Sequence, residues 1–163
     1  MIKNDNSSKK RLDKLATRKA IEASLEEQKK FAEGLIENSA VATFVLDAEH
    51  KVVFWNKACE ALTGVSAAEV IGTDNQWRPF YSSQRQTLSD VVIDGNFADL
   101  PALYKKYSQS KLLANALQSE GWYPQLNGKS RYIIFDAAPI FDSKDELGLC
   151  NRDPAGHYGP EAL

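Results

Sequence analysis

Asn127-Gly128 lies between the segment 121–126 and the alternating run Ser130–Phe141, and it constrains this chain more than any other pair of residues. Asn-Gly is the favoured two-residue turn of an antiparallel hairpin, because both positions accept positive φ at little cost. In the second arm Arg131, Ile133, Phe135 and Ala137 point one way and Tyr132 and Ile134 the other, the period of a half-buried strand. Pro139 near the end of that arm suits an edge or a bulge. Asp142-Ser143-Lys144-Asp145 reads as a turn, and Glu146-Leu147-Gly148-Leu149 begins a further strand. The chain therefore contains an antiparallel sheet with one apolar face to cover.

A second hairpin stands upstream. Val41–Leu46 and Lys51–Trp55 are β-rich runs, and Asp47-Ala48-Glu49-His50 reads as the exposed turn between them. Asn56 can cap a short helix, Lys57–Thr63, which Gly64 stops. Ser66-Ala67-Ala68-Glu69 is a capping box for another helix that stops at Gly72. Pro79 breaks any helix through Trp77-Arg78-Pro79-Phe80-Tyr81. Gln84–Ile93 reads helical and is closed by Gly95, while Phe97–Tyr107 is undecided around Pro101. Lys111–Ser119 also reads helical, with Leu112, Leu113, Ala116 and Leu117 as its buried stripe and Gly121 as its stop. Hairpins and short helices in this order make an α+β domain.

The first 37 residues differ in character. Residues 1–8 are expected to be disordered, and 9–37 to form one helix with no proline and a single glycine, Gly34. Ile21, Leu25, Gln28, Ala32 and Leu35 are spaced 4, 3, 4, 3, as in a coiled-coil seam whose polar Gln28 would set the register. The repeat is short, so a single helix lying against the domain is the alternative; either way the stripe needs a partner surface. Residues 1–19 carry seven basic and two acidic side chains, which makes a basic arm or a solvated helix start. No basic stripe with interleaved aromatics continues into the body, so nucleic acid is not an expected partner.

With 163 residues and 43% hydrophobic content, the chain suits one packed domain plus an appendage. No apolar run approaches the roughly 20 residues of a membrane span, and the N-terminus lacks the apolar core of a secretory signal. Cys59 and Cys150 form no CxxC or zinc spacing, so a reduced, cytoplasmic protein is the expectation. No nucleophile elbow, P-loop, HExxH or dinucleotide fingerprint occurs, so no enzymatic activity is expected.

The segments Phe44-Val45-Leu46-Asp47, Val52-Val53-Phe54-Trp55-Asn56-Lys57-Ala58-Cys59-Glu60-Ala61-Leu62-Thr63-Gly64, Ala67-Ala68-Glu69-Val70-Ile71-Gly72 and Ala137-Ala138-Pro139-Ile140-Phe141-Asp142 together resemble a PAS domain. The resemblance covers about residues 31–149. It is greatest to a bacterial subgroup with a Trp-Arg-Pro-Phe-Tyr segment, found upstream of histidine kinases, diguanylate cyclases and similar outputs of two-component and related signalling systems. It implies a five-stranded antiparallel sheet with helices on one face, enclosing a cavity, over residues 38–149. It also implies that the N-terminal helix is a dimerising signalling helix and that the chain is the sensory input of an output domain outside it.

One stretch departs from the family pattern. The closing strand should run on past Gly148 to an Asp-Ile-Thr, but residues 150–163 show no alternation and many turn residues. Back-translation from Cys150, read one base later, permits Ala-Ile-Glu-Thr-Leu-Gln-Asp-Ile-Thr-Asp-Arg-Lys-Arg, a typical family ending. A frameshifted, non-native tail is therefore the expectation for 150–163, with the last, central strand truncated, its neighbours' edges exposed and His157 irrelevant to function.

Nine of the 16 aromatic residues fall in the part that frames a PAS cavity, where they either fill the core or line a pocket. Trp77, Arg78, Tyr81, Tyr104, Trp122 and Tyr132 are the candidate ligand-binding residues. Arg78 suits a carboxylate, which would make the ligand an anionic metabolite, or else a surface ion pair. Ile21, Leu25, Gln28, Ala32 and Leu35 are the candidate dimerisation residues. Haem is not expected, because His50 lies in a turn. A covalent flavin adduct is not expected either, because Cys59 lies in Lys-Ala-Cys-Glu-Ala and reads as a core residue. A small organic metabolite is the remaining ligand class, and a ligand-free dimerisation and relay module is the alternative. Asp136 is expected to be partly buried in a structural hydrogen bond.

Overall fold

The computed structural model describes residues 5–111, 113 and 115–140. The chain divides into two compact units, residues 1–39 and 40–163. The first is a single helix, α1 (Asp5–Glu37), which starts four residues before the expected position. Ile21, Leu25, Gln28, Ala32 and Leu35 are all exposed on it. Among the described residues no helix is long and apolar enough to cross a membrane.

The second unit opens with β1 (Phe44–Leu46) and β2 (Val52–Trp55), paired antiparallel with Phe44 opposite Trp55 and Leu46 opposite Val52. The turn is closed by Asp47, whose Oδ1 accepts from the amides of Glu49 (3.0 Å) and Lys51 (2.8 Å). Next comes α2 (Lys57–Thr63), capped by Asn56 and ended by Gly64 at φ 75°. In α3 (Ala67–Val70), Glu69 Oε2 accepts from the Ser66 amide at 2.9 Å and its hydroxyl at 2.7 Å. The Gly72 amide donates to Val52 O, and the Val52 amide to Thr73 O, tying this segment back to β2.

Asn56 holds the corner together. Its side chain is fully buried; Oδ1 accepts from the Thr43 and Cys59 amides, each at 3.0 Å, and Nδ2 donates to Val41 O at 2.9 Å. One amide group thus caps α2 and fixes the chain entering β1.

The third layer of order is α4 (Leu88–Asp94), with Gly95 at φ 64° after it. Its Ile93 joins a core of Leu46, Val52, Trp55, Cys59 and Val70. Its Leu88, Val91 and Val92 join a second core with Leu100, Tyr104, Leu117 and Ala137. A 3₁₀ turn (Phe97–Asp99) and α5 (Leu100–Leu103) lead to β3 (Tyr107–Gln109), β4 (Leu117–Leu126) and β5 (Lys129–Ala137). These three strands form an antiparallel sheet in the order β3-β4-β5, with Trp122 opposite Tyr132 and Leu126 opposite Lys129. Asn127 and Gly128 take positive φ, as the turn demands.

The α+β class and the antiparallel strands agree with expectation. The five described strands form one two-stranded and one three-stranded sheet. The further strand at 146–149 and the tail 150–163, with Cys150 and His157, lie outside the described residues.

Four local expectations are corrected. The described residues of 111–119 are not helical: Asn115 takes φ 59° and β4 begins at Leu117. Leu117, Ser119 and Tyr123 are buried at strand spacing, so the apolar cluster serves a period of two, and Gly121 lies inside the strand. Leu113 is exposed, and Leu112 lies outside the described residues. The helix expected from Gln84 starts at Leu88, because Asp90 Oδ2 accepts from the Thr87 amide (2.7 Å) and hydroxyl (2.6 Å) and sets the boundary there. Asp136 is exposed and accepts from Gln118 Nε2, being on the outward face of β5.

His50, expected to be an exposed turn residue, is instead half-buried and bridges to α4. Its Nδ1 lies 2.8 Å from Asp90 Oδ1 and its Nε2 3.0 Å from Asp94 Oδ1. Burial alone would lower its pKa. The Asp90 hydrogen bond, the charges of Asp94 and Asp90, and the Asp94 hydrogen bond outweigh burial and hold the value above the usual 6.5.

Two predictions follow from these contacts. Asn56→Ala removes a cap and takes the acceptor from the buried Cys59 amide and the partly buried Thr43 amide, so urea unfolding should show a loss of about 2 kcal/mol. The raised His50 pKa means its contribution is complete below about pH 6.5 and is lost as pH rises through the folded value. The stability gap between the natural chain and His50→Asn, which tolerates the positive φ, should therefore shrink between pH 5.5 and 8.5. A gap that stayed constant would show that the charge is not involved.

Candidate functional site

A cavity of about 390 Å³ opens beneath β1 and β5, a volume within the usual range for small-molecule sites. Its walls include Phe44, Cys59, Phe80, Tyr81, Tyr104 and Tyr123. The placement follows from local structure. Phe44 is fixed by β1, Cys59 by the Asn56 cap of α2, Tyr104 by the end of α5, and Tyr123 by the inward face of β4. Phe80 packs edge-on against Tyr123, with centroids 5.8 Å apart, and Phe135 lies edge-on to both Tyr104 and Tyr123.

Three hydroxyls converge in this apolar setting. Tyr81 Oη lies 3.2 Å from Tyr104 Oη and 3.4 Å from Tyr123 Oη. Three hydroxyls carry three hydrogens, and two oxygen-oxygen contacts use two, so one donor and several lone pairs remain for a bound molecule. Burial raises all three pKa values above the usual 10, that of Tyr104 to about 12, so the cluster is neutral at physiological pH. Arg85 stacks on it, its guanidinium carbon 4.1 Å from the Tyr81 ring centroid and 5.1 Å from that of Tyr104. Arg85 Nη2 donates to Leu103 O at 2.6 Å, and its Nε is buried with no hydrogen-bond partner among the described residues. The chemistry on offer is a mainly apolar chamber with a neutral hydroxyl cluster, a cation behind that cluster, and Thr43, Thr87, Ser89 and Asp136 elsewhere in the lining.

An open groove of about 920 Å³ runs along β4 on the other side of this tyrosine wall. Arg78, Tyr81, Tyr104, Trp122 and Tyr132 all border it, with Lys105 and Lys106. Only Tyr81 and Tyr104 also line the inner cavity. Trp122 is 68% exposed and meets Tyr132 edge-on at 5.4 Å on the outward face of the sheet. Lys106 there pairs with Glu120 at 2.9 Å. Arg78 is exposed and near Glu69, whose carboxyl is held below its usual range mainly by the Ser66 hydrogen bonds and least by Arg78. Trp77 borders neither space, and its Nε1 is buried without a hydrogen-bond partner among the described residues. Cys59, in the cavity lining, and Arg85, which borders the outer groove behind the tyrosine cluster, were not among the expected ligand-facing residues. Arg85 stands in Gln84-Arg85-Gln86-Thr87 immediately before α4, and only its position at the boundary of that helix could have drawn notice.

Among the described residues no group of His, Cys, Asp and Glu side chains could hold a metal ion. Cys59 is buried, and burial pushes its thiol up to about 12, so it is a neutral wall of the cavity.

The PAS fold family model matches residues 30–74, the segment that runs from the end of α1 through α3. The PAS resemblance read from the sequence is thus borne out there, and PAS domains are a family of signal-sensing modules. A solved structure of an RNA-binding Light-Oxygen-Voltage receptor is similar at 20% identity with a TM-score of 0.47, covering 77% of this chain and 30% of that one. This chain therefore spans less than a third of that receptor. No curated protein matches the chain.

In a Cys150→Ser background, Cys59 should react with a disulfide reagent at pH 8 only after unfolding, with native labelling at least about a hundredfold slower than in denaturant. Fast native labelling would mean that the cavity wall opens readily.

Proposed function

From the PAS fold that residues 30–74 match, we propose that this chain is a sensory input module that holds a small organic ligand in its inner cavity. The observation that carries the reading is the tyrosine cluster: three neutral hydroxyls meeting in a mainly apolar chamber, with a hydrogen to spare. The ligand class is a compact, mostly apolar molecule with one strong acceptor, a carbonyl or carboxylate, directed at Tyr81 and backed by Arg85. Haem and a covalently attached flavin are not part of the reading, and no catalytic step is assigned.

Such a ligand would signal only through a difference in affinity between two arrangements of the domain. In this reading the module is cytoplasmic and bacterial, α1 pairs with a second copy through Ile21, Leu25, Gln28, Ala32 and Leu35, and the output is a kinase, a cyclase or a similar domain outside this chain. Trp122, Tyr132 and Arg78, on the outer groove, have a secondary place, and Trp77 has none. A second reading, a ligand-free dimerisation and relay module, is favoured by the exposed apolar residues along α1.

Native mass spectrometry of protein purified from its host reads ligand and dimer together. The sensor reading expects an added small mass that disappears on denaturation. The released compound at a hundred times its dissociation constant should raise the melting temperature by several degrees. Tyr81→Phe should weaken binding about fivefold, the worth of one hydrogen bond. A bare dimer whose melting point no metabolite shifts would favour the relay.

A further inference from the structure

The outer groove along β4 has a charge balance opposite to that of the chain. The whole sequence carries 20 Lys and Arg against 22 Asp and Glu, whereas the groove gathers Arg78, Arg85, Lys105 and Lys106 against one carboxylate, Glu120. Lys106 engages that carboxylate at 2.9 Å. Among the described residues Arg78, Arg85 and Lys105 form no ion pair, and Glu69, beside Arg78, is held mainly by Ser66. Three positive charges in one concave space are thus left without a partner. Arg85 supplies field more than donors, since its Nη2 is committed to Leu103 O and its Nε is buried.

The same groove holds an aromatic platform. Trp122 is 68% exposed and meets Tyr132 edge-on, so much of the indole is open to a flat ring. A ring stacked there would bring its substituents among the free cations. A single carboxylate would compensate one of the three, whereas a phosphate carries close to two negative charges and a diphosphate about three. Lys binds phosphate as a point charge and Arg as a fork, so Lys105 and Arg78 suit one phosphate chain. The cationic ground is bounded. The next outward positions of the sheet are Glu120 opposite Ile134 and Gln118 opposite Asp136, none of them positive. A groove of about 920 Å³ with no basic track leading out of it fits a single small molecule, not a nucleic-acid strand or a membrane surface.

We propose that the outer groove is a second binding site, for an aromatic ring carrying a chain of phosphates, the chemistry of a nucleoside diphosphate. The ring stacks on Trp122, and the phosphates lie against Arg78 and Lys105 in the field of Arg85. Glu120 limits the affinity by holding Lys106. The site does not rest on the reading of the inner cavity, whose ligand is mostly apolar and has its own assay.

The test titrates the full chain with adenosine diphosphate and reads indole emission together with heat. The basic start of α1 holds no tryptophan, so anions gathered there stay silent in the emission. Saturable quenching is expected below about 1 mM. Calorimetry should show binding at least about fivefold weaker in Trp122→Ala, the worth of a lost stacking contact. Adenosine and pyrophosphate, each with half of the ligand's chemistry, should also bind at least about fivefold more weakly. Arg78→Ala and Lys105→Ala, both at exposed positions, should each weaken binding about threefold. Glu120→Gln frees Lys106 and should strengthen it about twofold, a gain that mere damage to the surface would not give. Three results would overturn the proposal: no saturable quenching, as a face covered by a second copy would give; unchanged affinity in Trp122→Ala; or adenosine binding as tightly as its diphosphate.

Discussion

The structure of residues 40–140 depends on the side-chain amide of Asn56. Three main-chain groups from two segments meet one buried side chain, so the cap of α2 and the entry to β1 are the same interaction. Without it, the first turn of α2 and the chain before β1 would each need separate partners. Trp55 on one side of Asn56 and Cys59 on the other are placed in the first core by this corner, and Phe44 is held close to Trp55 with centroids 5.4 Å apart. The cavity wall is thus a by-product of a capping interaction.

α4 plays the corresponding part between the two sheets. With only seven residues it supplies side chains to both cores, and His50 reaches it from the turn of the first hairpin. Asp90 is the node: one oxygen starts α4 from Thr87, and the other receives His50 and Gln76. A buried carboxylate is tolerable because each oxygen has donors and, when His50 is protonated, a compensating charge. The second core, which includes Tyr104, lies against the same helix that His50 reaches.

Local rules in this chain were legible where a residue's own chemistry decides its backbone. Asn127-Gly128, Asn56, the Ser66–Glu69 box and Gly64 act through turns and caps, which involve only near neighbours in sequence. Lys111–Ser119 was misread because Leu112, Leu113, Ala116 and Leu117 fit a helical stripe, while the strand is imposed by pairing with β3 and β5, distant residues that a short window does not contain. His50 and Asp136 were misjudged for the same reason, since their exposure depends on what packs opposite. The site was legible in part. Tyr81 and Tyr104 were expected and line the chamber, but Trp122 and Tyr132 turn to the outer face, because alternation along β4 and β5 sends them opposite to Tyr123 and Phe135. Arg85 left no trace in the sequence beyond its place at the boundary of α4, because a cation over aromatic rings has no spacing rule.

Gly64 shows how two distant parts of the chain constrain each other. A Cβ at this position would meet Asn127 Oδ1 at 2.6 Å, and Asn127 Nδ2 in turn reaches Ala61 O at 3.2 Å. The tip of the second hairpin therefore rests on the end of α2, 66 residues away along the chain. Each half can form early from its own neighbours, but their seating closes a long loop, so it belongs to the late part of folding, when the entropy of that closure has to be met. Glycine at 64 and asparagine at 127 are matched in space: a side chain at the first would displace that of the second.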